Sequence, residues 1–233
     1  MVGRLKDGVG IRLSQMNNIS IVDNGQVVLI EGGVLNGDLV AYLWARGKHT
    51  ATTGCDCVGF VAPILGGGHG WNQGRHGKAT DQLLFARLVL ANGTAIDVSQ
   101  VDNPDLSWAI RGAGHNFRIV TQAKLRIYDV EPGQHQWAAS GFVLTHDKLE
   151  ALYAIANGWV KDPNKPIGFT NYFVFAFDPE IDAEHVGHHR FHCSQSSSHG
   201  FIFKAPQFLR SSQTLSTRSR LWLLTRASPN SPV

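Results

Sequence analysis

Apolar and polar residues alternate along several short stretches of the chain, which is the pattern of half-buried β-strands. Two runs rich in β-branched residues, 19–22 and 27–30, flank Asp23-Asn-Gly25, and this arrangement predicts a tight β-hairpin. A second hairpin is predicted over residues 83–98, with Asn92-Gly93 as its turn. Further strands are predicted at residues 10–14, 119–130, 136–144 and 167–177.

Helical patterns occupy three other stretches. Residues 36–46 have Asn36 as a candidate N-cap and Gly47 just beyond their end, which are typical start and stop signals. Residues 103–111 carry a proline in the first helical position, where its missing N–H costs nothing. A third helix is predicted over residues 146–160. Antiparallel strands with short helices make the predicted fold class α+β.

Composition and charge exclude several classes of protein. The chain has 233 residues, of which 43% are hydrophobic and 17% charged, so it can build a core. No apolar run is long enough to cross a membrane, and the N-terminus as written lacks the apolar segment of a signal peptide. The net charge of +3 belongs to the end of the chain, where no acidic residue follows Glu184. We therefore expect neither a membrane nor a nucleic acid as partner.

Residues 54–77 break every periodic pattern, and eight of these 24 residues are glycine. Their densest part is the segment 66–70, which we call the glycine loop; it contains four glycines and His69. It has neither the Gly-Lys-Ser/Thr of a P-loop nor the GxGxxG of a Rossmann fold. Two alternatives stay open: a loop whose backbone N–H groups form an anion nest, or a mobile surface loop.

Cysteine and histidine residues supply the other candidate chemistry. Cys55 and Cys57 are separated by one residue and have no second pair, which disfavours zinc; they are either ordinary thiols or one is a nucleophilic thiolate beside a cofactor loop. A histidine-rich segment, 185–193, lacks a nearby carboxylate after Glu184, so we predict no metal site. We expect His115 to have a structural role. For His69 two roles stay open, a structural one and an electrostatic one.

The order of these motifs resembles a known family. The carrying segments are Ile11–Asn17, Gly54-Cys-Asp-Cys-Val-Gly59, Leu65-Gly-Gly-Gly-His-Gly70, His76-Gly77, Asp81-Gln-Leu-Leu84, Val89-Leu-Ala-Asn-Gly93 and Trp108-Ala-Ile-Arg-Gly-Ala-Gly-His-Asn-Phe117. They are similar to the second half of the FAD-binding module of berberine-bridge-enzyme-like, FAD-linked oxidases of the vanillyl-alcohol oxidase superfamily (PCMH-type), in its fungal form. The resemblance runs from about residue 10 to residue 185.

The resemblance implies FAD as cofactor, with Cys55 where many members attach the flavin C6 as a thioether. It implies oxidation of an alcohol or an activated C–H group of a small-molecule substrate, with hydride transfer to flavin N5 and O₂ as acceptor. It gives Cys57 no catalytic role and identifies no catalytic residue. The residues expected to contact FAD are Cys55, Val58, Gly59, Gly66, Gly67, Gly68, His69, Gly70, Asp81, Gly112, Gly114, Asn116, Ile119 and Val120.

The predicted organisation has three parts. Residues 1–130 would be a partial FAD-binding domain, 131–189 the start of an antiparallel-sheet substrate domain, and 190–233 an atypical, disordered tail. Relative to the family, the first FAD subdomain and the C-terminal acid/base part are missing from the chain as written. We therefore expect it to be inactive as a fragment; the alternatives are a non-catalytic remnant with a residual flavin surface and, ranked last, a nucleic-acid-binding protein. Family members are often secreted, but the location of this chain stays open.

Overall fold

The computed structural model describes residues 10–117, 119–132, 138–144, 149–164, 167, 170–176 and 190–197. The chain divides into two compact units, Met1–Val130 and Glu131–Val233. Both combine antiparallel strands with helices, which agrees with the α+β class. None of the described helices is long and apolar enough to cross a membrane.

The first unit is built on a five-stranded sheet. Its strands are β1 (Ile19–Val22), β2 (Val27–Glu31), β4 (Leu83–Val89), β5 (Ala95–Ser99) and β6 (Ile119–Arg126), and a separate pair is formed by β3 (Lys48–His49) and β7 (Tyr128–Asp129). The order in the sheet is β1-β2-β6-β4-β5, and every neighbouring pair is antiparallel. Both predicted hairpins are confirmed, with Val22 opposite Val27 in the first and Val89 opposite Ala95 in the second.

Alternation along the strands explains why one face of this sheet is buried. In β6 the side chains of Ala123 and Leu125 are buried. Lys124 between them points to the other face of the sheet, where it forms an ion pair with Asp23 at the surface. The same face includes Val28 of β2, and residues of the other strands continue it into one apolar core. Burial of this face fixes the register, because a slip of one residue would exchange the buried and exposed sets.

Four helices of the first unit are α1 (Asn36–Trp44), α2 (Val61–Leu65), α3 (Gln73–His76) and α4 (Pro104–Ala113). The helices predicted at 36–46 and 103–111 are therefore present. The stretch 54–77 is not one long loop, because α2 and α3 lie within it. Apolar residues of the helices join the sheet residues in the core: Leu39, Leu43, Ile64, Leu65 and Ile110.

Two local predictions were wrong. Residues 10–14 form no strand: the Met16 N–H donates to the Leu13 carbonyl in a turn, and the segment lies so close to the backbone of Gly33 that a Cβ there would collide with the Leu13 carbonyl. Asn36 is not the N-cap of α1, because Leu35 occupies that position. The Asn36 side chain is instead buried and spans to Thr53, a contact that no local sequence pattern reveals.

The second unit contains β8 (Ala138–Leu144), α5 (Leu149–Lys161), β9 (Thr170–Ala176) and β10 (Arg190–Ser197). The strands form an antiparallel sheet in the order β8-β10-β9. Strand β10 occupies residues 190–197, at the start of the stretch predicted as a tail, and the division of the chain at residue 190 stays a prediction. The tail was inferred from the loss of acidic residues, the richness in serine and the loss of periodicity, but strand pairing uses backbone groups and needs none of these signals. Residues 198–233 lie outside the described residues.

Candidate functional site

The glycine loop begins at the C-terminal end of α2. The Gly66 N–H donates to the Pro63 carbonyl (3.0 Å) and the Gly67 N–H to the Ile64 carbonyl (3.1 Å). These two donors therefore end the helix, and a nest formed by all successive N–H groups of the loop is excluded. Gly67 and Gly68 have φ of 106° and 70°, a backbone region in which glycine alone is unstrained.

The remainder of the glycine loop is packed against the chain. The carbonyls of Gly67 and Gly68 accept hydrogen bonds from the N–H groups of Thr80 (3.1 Å) and Ala79 (2.9 Å). A Cβ at Gly68 would lie 2.7 Å from the Ala79 Cβ, and one at Gly70 would collide with the Thr52 carbonyl. Gly67, Gly68 and Gly70 are buried. The alternative of a mobile surface loop does not fit this packing.

The segment Cys55–Val58 is held by the start of α1. The Asn36 N–H donates to the Val58 carbonyl (2.9 Å) and the Gly37 N–H to the Asp56 carbonyl (3.0 Å). Free N–H groups at a helix start attract carbonyl oxygens, because the helix has no partner for them. Leu35 and Gly59 add an antiparallel bridge. The turn that carries both cysteines is therefore fixed at its backbone, while Cys55 and Cys57 are exposed.

The two thiols of this turn contact each other. Their Sγ atoms lie 3.1 Å apart, within S–H···S hydrogen-bond distance. The hydrogen bond from Cys57 lowers the pKa of Cys55, because it stabilises the Cys55 thiolate; the same contact raises the pKa of Cys57. The two cysteines are therefore chemically unequal, with Cys55 the stronger nucleophile candidate at neutral pH.

A second glycine-containing segment contacts Leu65, the last residue of α2 before the glycine loop. A Cβ on Gly114 would lie 2.6 Å from the Leu65 Cδ2, so only glycine permits this approach. Nothing lies within 4 Å of the Cβ direction at Gly112 or Gly59, which therefore border open space. Among the other expected residues of this segment, Asn116 is exposed, Ile119 is half-buried, and Val120 is buried in the core.

Asp81 and His69 have local partners. The Asp81 carboxylate accepts the Lys78 N–H (2.8 Å) and closes the turn after Gly77, whose φ is 78°. The His69 Nδ1 lies 3.1 Å from the Gln73 Oε1, and the ring is exposed. His115, for which a structural role was expected, is exposed as well.

A polar cluster that no sequence pattern revealed lies beside this site. The ring of His76 stacks on Tyr128 with centroids 3.8 Å apart, and His49 lies 4.9 Å from His76. The Tyr128 hydroxyl donates to the Gln82 Oε1 (2.8 Å), and the Asn72 amide lies 3.2 Å from the His49 Nδ1. His76-Gly77 and Asp81-Gln-Leu-Leu84 were noted as separate motifs, but not the cluster, because it joins residues from four separate parts of the chain.

Burial shifts the histidines of this cluster toward their neutral forms. It lowers the pKa of His76 to about 4, with smaller contributions from the positive charges of His49 and Arg75. Burial also lowers the pKa of His49, although the Asp129 backbone opposes the change. The His76 Nε2 is buried and has no hydrogen-bond partner among the described residues. Both rings are therefore neutral at physiological pH.

The part of the chain that the structure describes holds no group of three or more histidine, cysteine or acidic residues suited to a metal ion. The histidine-rich segment 185–193 falls largely outside that part.

Comparison with known proteins identifies the family. A family model described as an FAD binding domain matches residues 1–99. The FAD-linked oxidoreductase chyH of Penicillium rubens is 40% identical over 183 residues, which are 78% of this chain and 36% of that protein. FAD-linked oxidoreductase chry5 of Gibberella zeae is 40% identical over 182 residues, 78% of this chain and 35% of that protein.

Solved structures agree with the sequence relatives. The structure of 6-hydroxy-D-nicotine oxidase from Arthrobacter nicotinovorans superimposes with a TM-score of 0.66 at 27% identity, covering 80% of this chain and 39% of that one. BBE-like 1 from Physcomitrella patens gives a TM-score of 0.66 at 26% identity, covering 79% of this chain and 37% of that one. The chain spans about a third of the length of the curated relatives it matches. It belongs to the berberine-bridge-enzyme-like FAD-linked oxidoreductases and corresponds to part of them.

Proposed function

We propose that this protein is the part of an FAD-dependent oxidoreductase that contributes one portion of the flavin site, followed by the start of its substrate domain. Bound FAD would accept a hydride at N5 from an alcohol or an activated C–H group of a small-molecule substrate and pass the electrons to O₂. Membership of the FAD-linked family supports this reaction class. The proposal assigns no catalytic acid or base.

Two features of the site fit a flavin: open space beside two glycines and two buried hydroxyl groups. Gly59 and Gly112 border open space, so a planar ring system could approach their backbone. The hydroxyls of Thr53 and Thr80 flank the glycine loop; both are buried and without a hydrogen-bond partner among the described residues. Two unpartnered hydroxyls next to a glycine-lined surface suit the many hydroxyl and phosphate groups of FAD.

The observation that carries the proposal is the exposed Cys55 on a rigid turn. Its backbone is held by the first N–H groups of α1, and its thiol has a lowered pKa. A nucleophile that is fixed in position and whose pKa is lowered suits covalent attachment of a cofactor. In this proposal Cys55 tethers the flavin, while the exposed residues of the two glycine segments, Gly66, His69 and Gly112, contact it through their backbones.

A binding experiment tests the glycine surface. We expect Gly112→Val to weaken FAD binding by the chain at least tenfold, since the added side chain would occupy the space meant for the cofactor. Gly158→Val in α5 is the matched control, because that glycine also borders open space but lies in the other unit. Quenching of flavin fluorescence on titration gives the affinity, and circular dichroism checks folding.

Equal affinity in Gly112→Val and the parent chain would refute the proposed surface. Turnover is a separate readout: production of H₂O₂ with a panel of alcohols would support the oxidase reaction. Flavin binding without turnover in any of these assays would favour the non-catalytic alternative for the chain as tested.

A further inference from the structure

We propose that Cys55 and Cys57 form a reversible intramolecular disulfide by exchange with small-molecule disulfides such as oxidised glutathione. This modification site is separate from the flavin chemistry proposed above and does not require bound FAD. It is carried by the geometry of one exposed turn.

The two sulfurs are already close to bonding distance. Their separation is 3.1 Å, and a disulfide bond is about 2.05 Å long, so a shift of about 1 Å suffices. Rotation about the two side-chain bonds can supply this shift, because the backbone is held at the Asp56 and Val58 carbonyls while the thiols are unconstrained by burial. The conversion therefore leaves the start of α1 and the glycine loop in place.

Access and reactivity favour the same pair. Both thiols are exposed, so a tripeptide disulfide can reach them. The hydrogen bond between them favours Cys55 as the thiolate, the form that attacks a disulfide. Asp56 lies between them and opposes ionisation of both, so the preference for Cys55 arises from the partner thiol.

The thiol–disulfide exchange takes place in two steps, and atoms and electrons balance in each. The Cys55 thiolate attacks one sulfur of oxidised glutathione, which breaks that S–S bond and releases one glutathione thiolate. Cys57 then loses its proton to solvent, and its thiolate attacks the Cys55 sulfur and releases the second glutathione. The protein loses two electrons and two protons, and one disulfide becomes two thiols.

One consequence connects this pair with the cofactor, and it rests on the proposed function. While the disulfide exists, Cys55 has no thiol with which to form a thioether. The redox state of the pair would then decide whether a newly made chain can be covalently flavinylated. A chain already tethered through Cys55 would leave Cys57 as a single free thiol.

Peptide mapping tests the disulfide directly. The full chain, without FAD, is equilibrated in buffers of defined reduced-to-oxidised glutathione ratio, quenched with acid, alkylated with N-ethylmaleimide and digested with trypsin. Residues 49–75 form one tryptic peptide with both cysteines, and Cys193 lies in another. We expect two alkyl groups on this peptide under reducing conditions and, under oxidising conditions, no alkyl group and the loss of two hydrogens.

Two variants distinguish the pair from ordinary exposed thiols. In Cys57→Ser, Cys55 can no longer be resolved, so a glutathione adduct should accumulate on the peptide. In Cys55→Ser the resolving partner is likewise removed, so a single glutathione adduct should accumulate on Cys57 instead. Two glutathione groups on the parent peptide, persistent alkylation of both thiols in the oxidising buffer, or disulfide-linked dimers in place of the internal bond would each overturn the proposal. Because FAD is absent throughout, none of these results bears on flavin binding.

Discussion

His76, at the end of α3, lies flat against Tyr128 of β7, with ring centroids 3.8 Å apart and planes inclined by 14°. Gln82 joins the two partners: its Nε2 donates to the His76 carbonyl, and its Oε1 accepts the Tyr128 hydroxyl. The end of the glycine-rich stretch is thereby attached to the strand pair β3–β7. A neutral imidazole suits this position because it is partly removed from water.

This cluster predicts that the first unit loses stability in mild acid. The folded pKa of His76 is about 4, below the usual 6.5, so the unfolded chain binds a proton more readily. The contribution of the neutral His76 ring to the free energy of unfolding is fully present above pH 6.5 and is lost as the pH falls toward 4. His49, whose pKa is also lowered, acts in the same direction. Urea unfolding followed between pH 4 and 7.5 should therefore show a falling free energy of unfolding below about pH 6.5.

Carboxylates also titrate in this range, so a variant must isolate the histidine. His76→Phe retains an aromatic ring against Tyr128 and removes the proton, and we expect a flatter pH dependence than in the parent. His115→Phe changes an exposed histidine and should keep the parent slope. Equal slopes in parent and His76→Phe would contradict the role of the cluster.

The packing of the glycine loop predicts unequal losses of stability for substitutions at its first and last glycines. Gly70→Ala places a methyl group into the Thr52 carbonyl, so the backbone must move, and we expect a loss of about 3 kcal/mol or more. In Gly66→Ala the nearest atom is the Pro63 oxygen at 3.7 Å, an ordinary contact. This variant should change the unfolding free energy by about 0.5 kcal/mol or less, as measured by chemical denaturation. Similar losses in both would show that the loop is not packed as described.

The proposed tether predicts which cysteine retains flavin. After reconstitution with FAD and acid precipitation, the parent and Cys57→Ala should keep flavin in the protein pellet, whereas Cys55→Ala should release it to the supernatant. Absorbance of both fractions measures the outcome. Retention by Cys55→Ala together with release by Cys57→Ala would reverse the assignment, and release by all three would remove the tether from the proposal.

The position of β10 predicts where the chain can be shortened. The strands β8 and β9 each pair with β10 and occupy the two edges of their sheet. A chain ending at residue 189 should lose this sheet, and a chain ending at residue 197 should keep it. Hydrogen exchange over residues 138–144 reports the difference: rapid exchange is expected only in the shorter chain. Equal protection in both would contradict the strand order.

Much of the fold could be predicted from local patterns. Turn residues such as Asp23-Asn-Gly25 and Asn92-Gly93 determine hairpins within a few residues, so both hairpins were found. Helices with clear end signals were found for the same reason. The family was recognised because its glycine and cysteine motifs occur in one order, and the comparisons confirm it.

The features that could not be predicted from the sequence depend on contacts between residues that are distant along the chain. Asn36 has the identity of an N-cap, yet its amide bonds Thr53, seventeen positions away. Tyr128 lies 46 positions from its partner Gln82 and belongs to none of the motifs in the sequence. The strand β10 was missed because its neighbours decide its structure: an ordinary stretch rich in serine becomes a strand when two partner strands flank it.

In each of these two sheets, the strand that is synthesised last is a central strand that joins strands made earlier. In the first unit β6 lies between β2 of the first hairpin and β4 of the second, and in the second unit β10 lies between β8 and β9. Synthesis adds about 5–20 residues per second, so the edges of these earlier strands wait for seconds without a partner. During that interval they can pair with other chains. Yield in cells should therefore depend on chaperones that shield strand edges more than on the final stability of either unit.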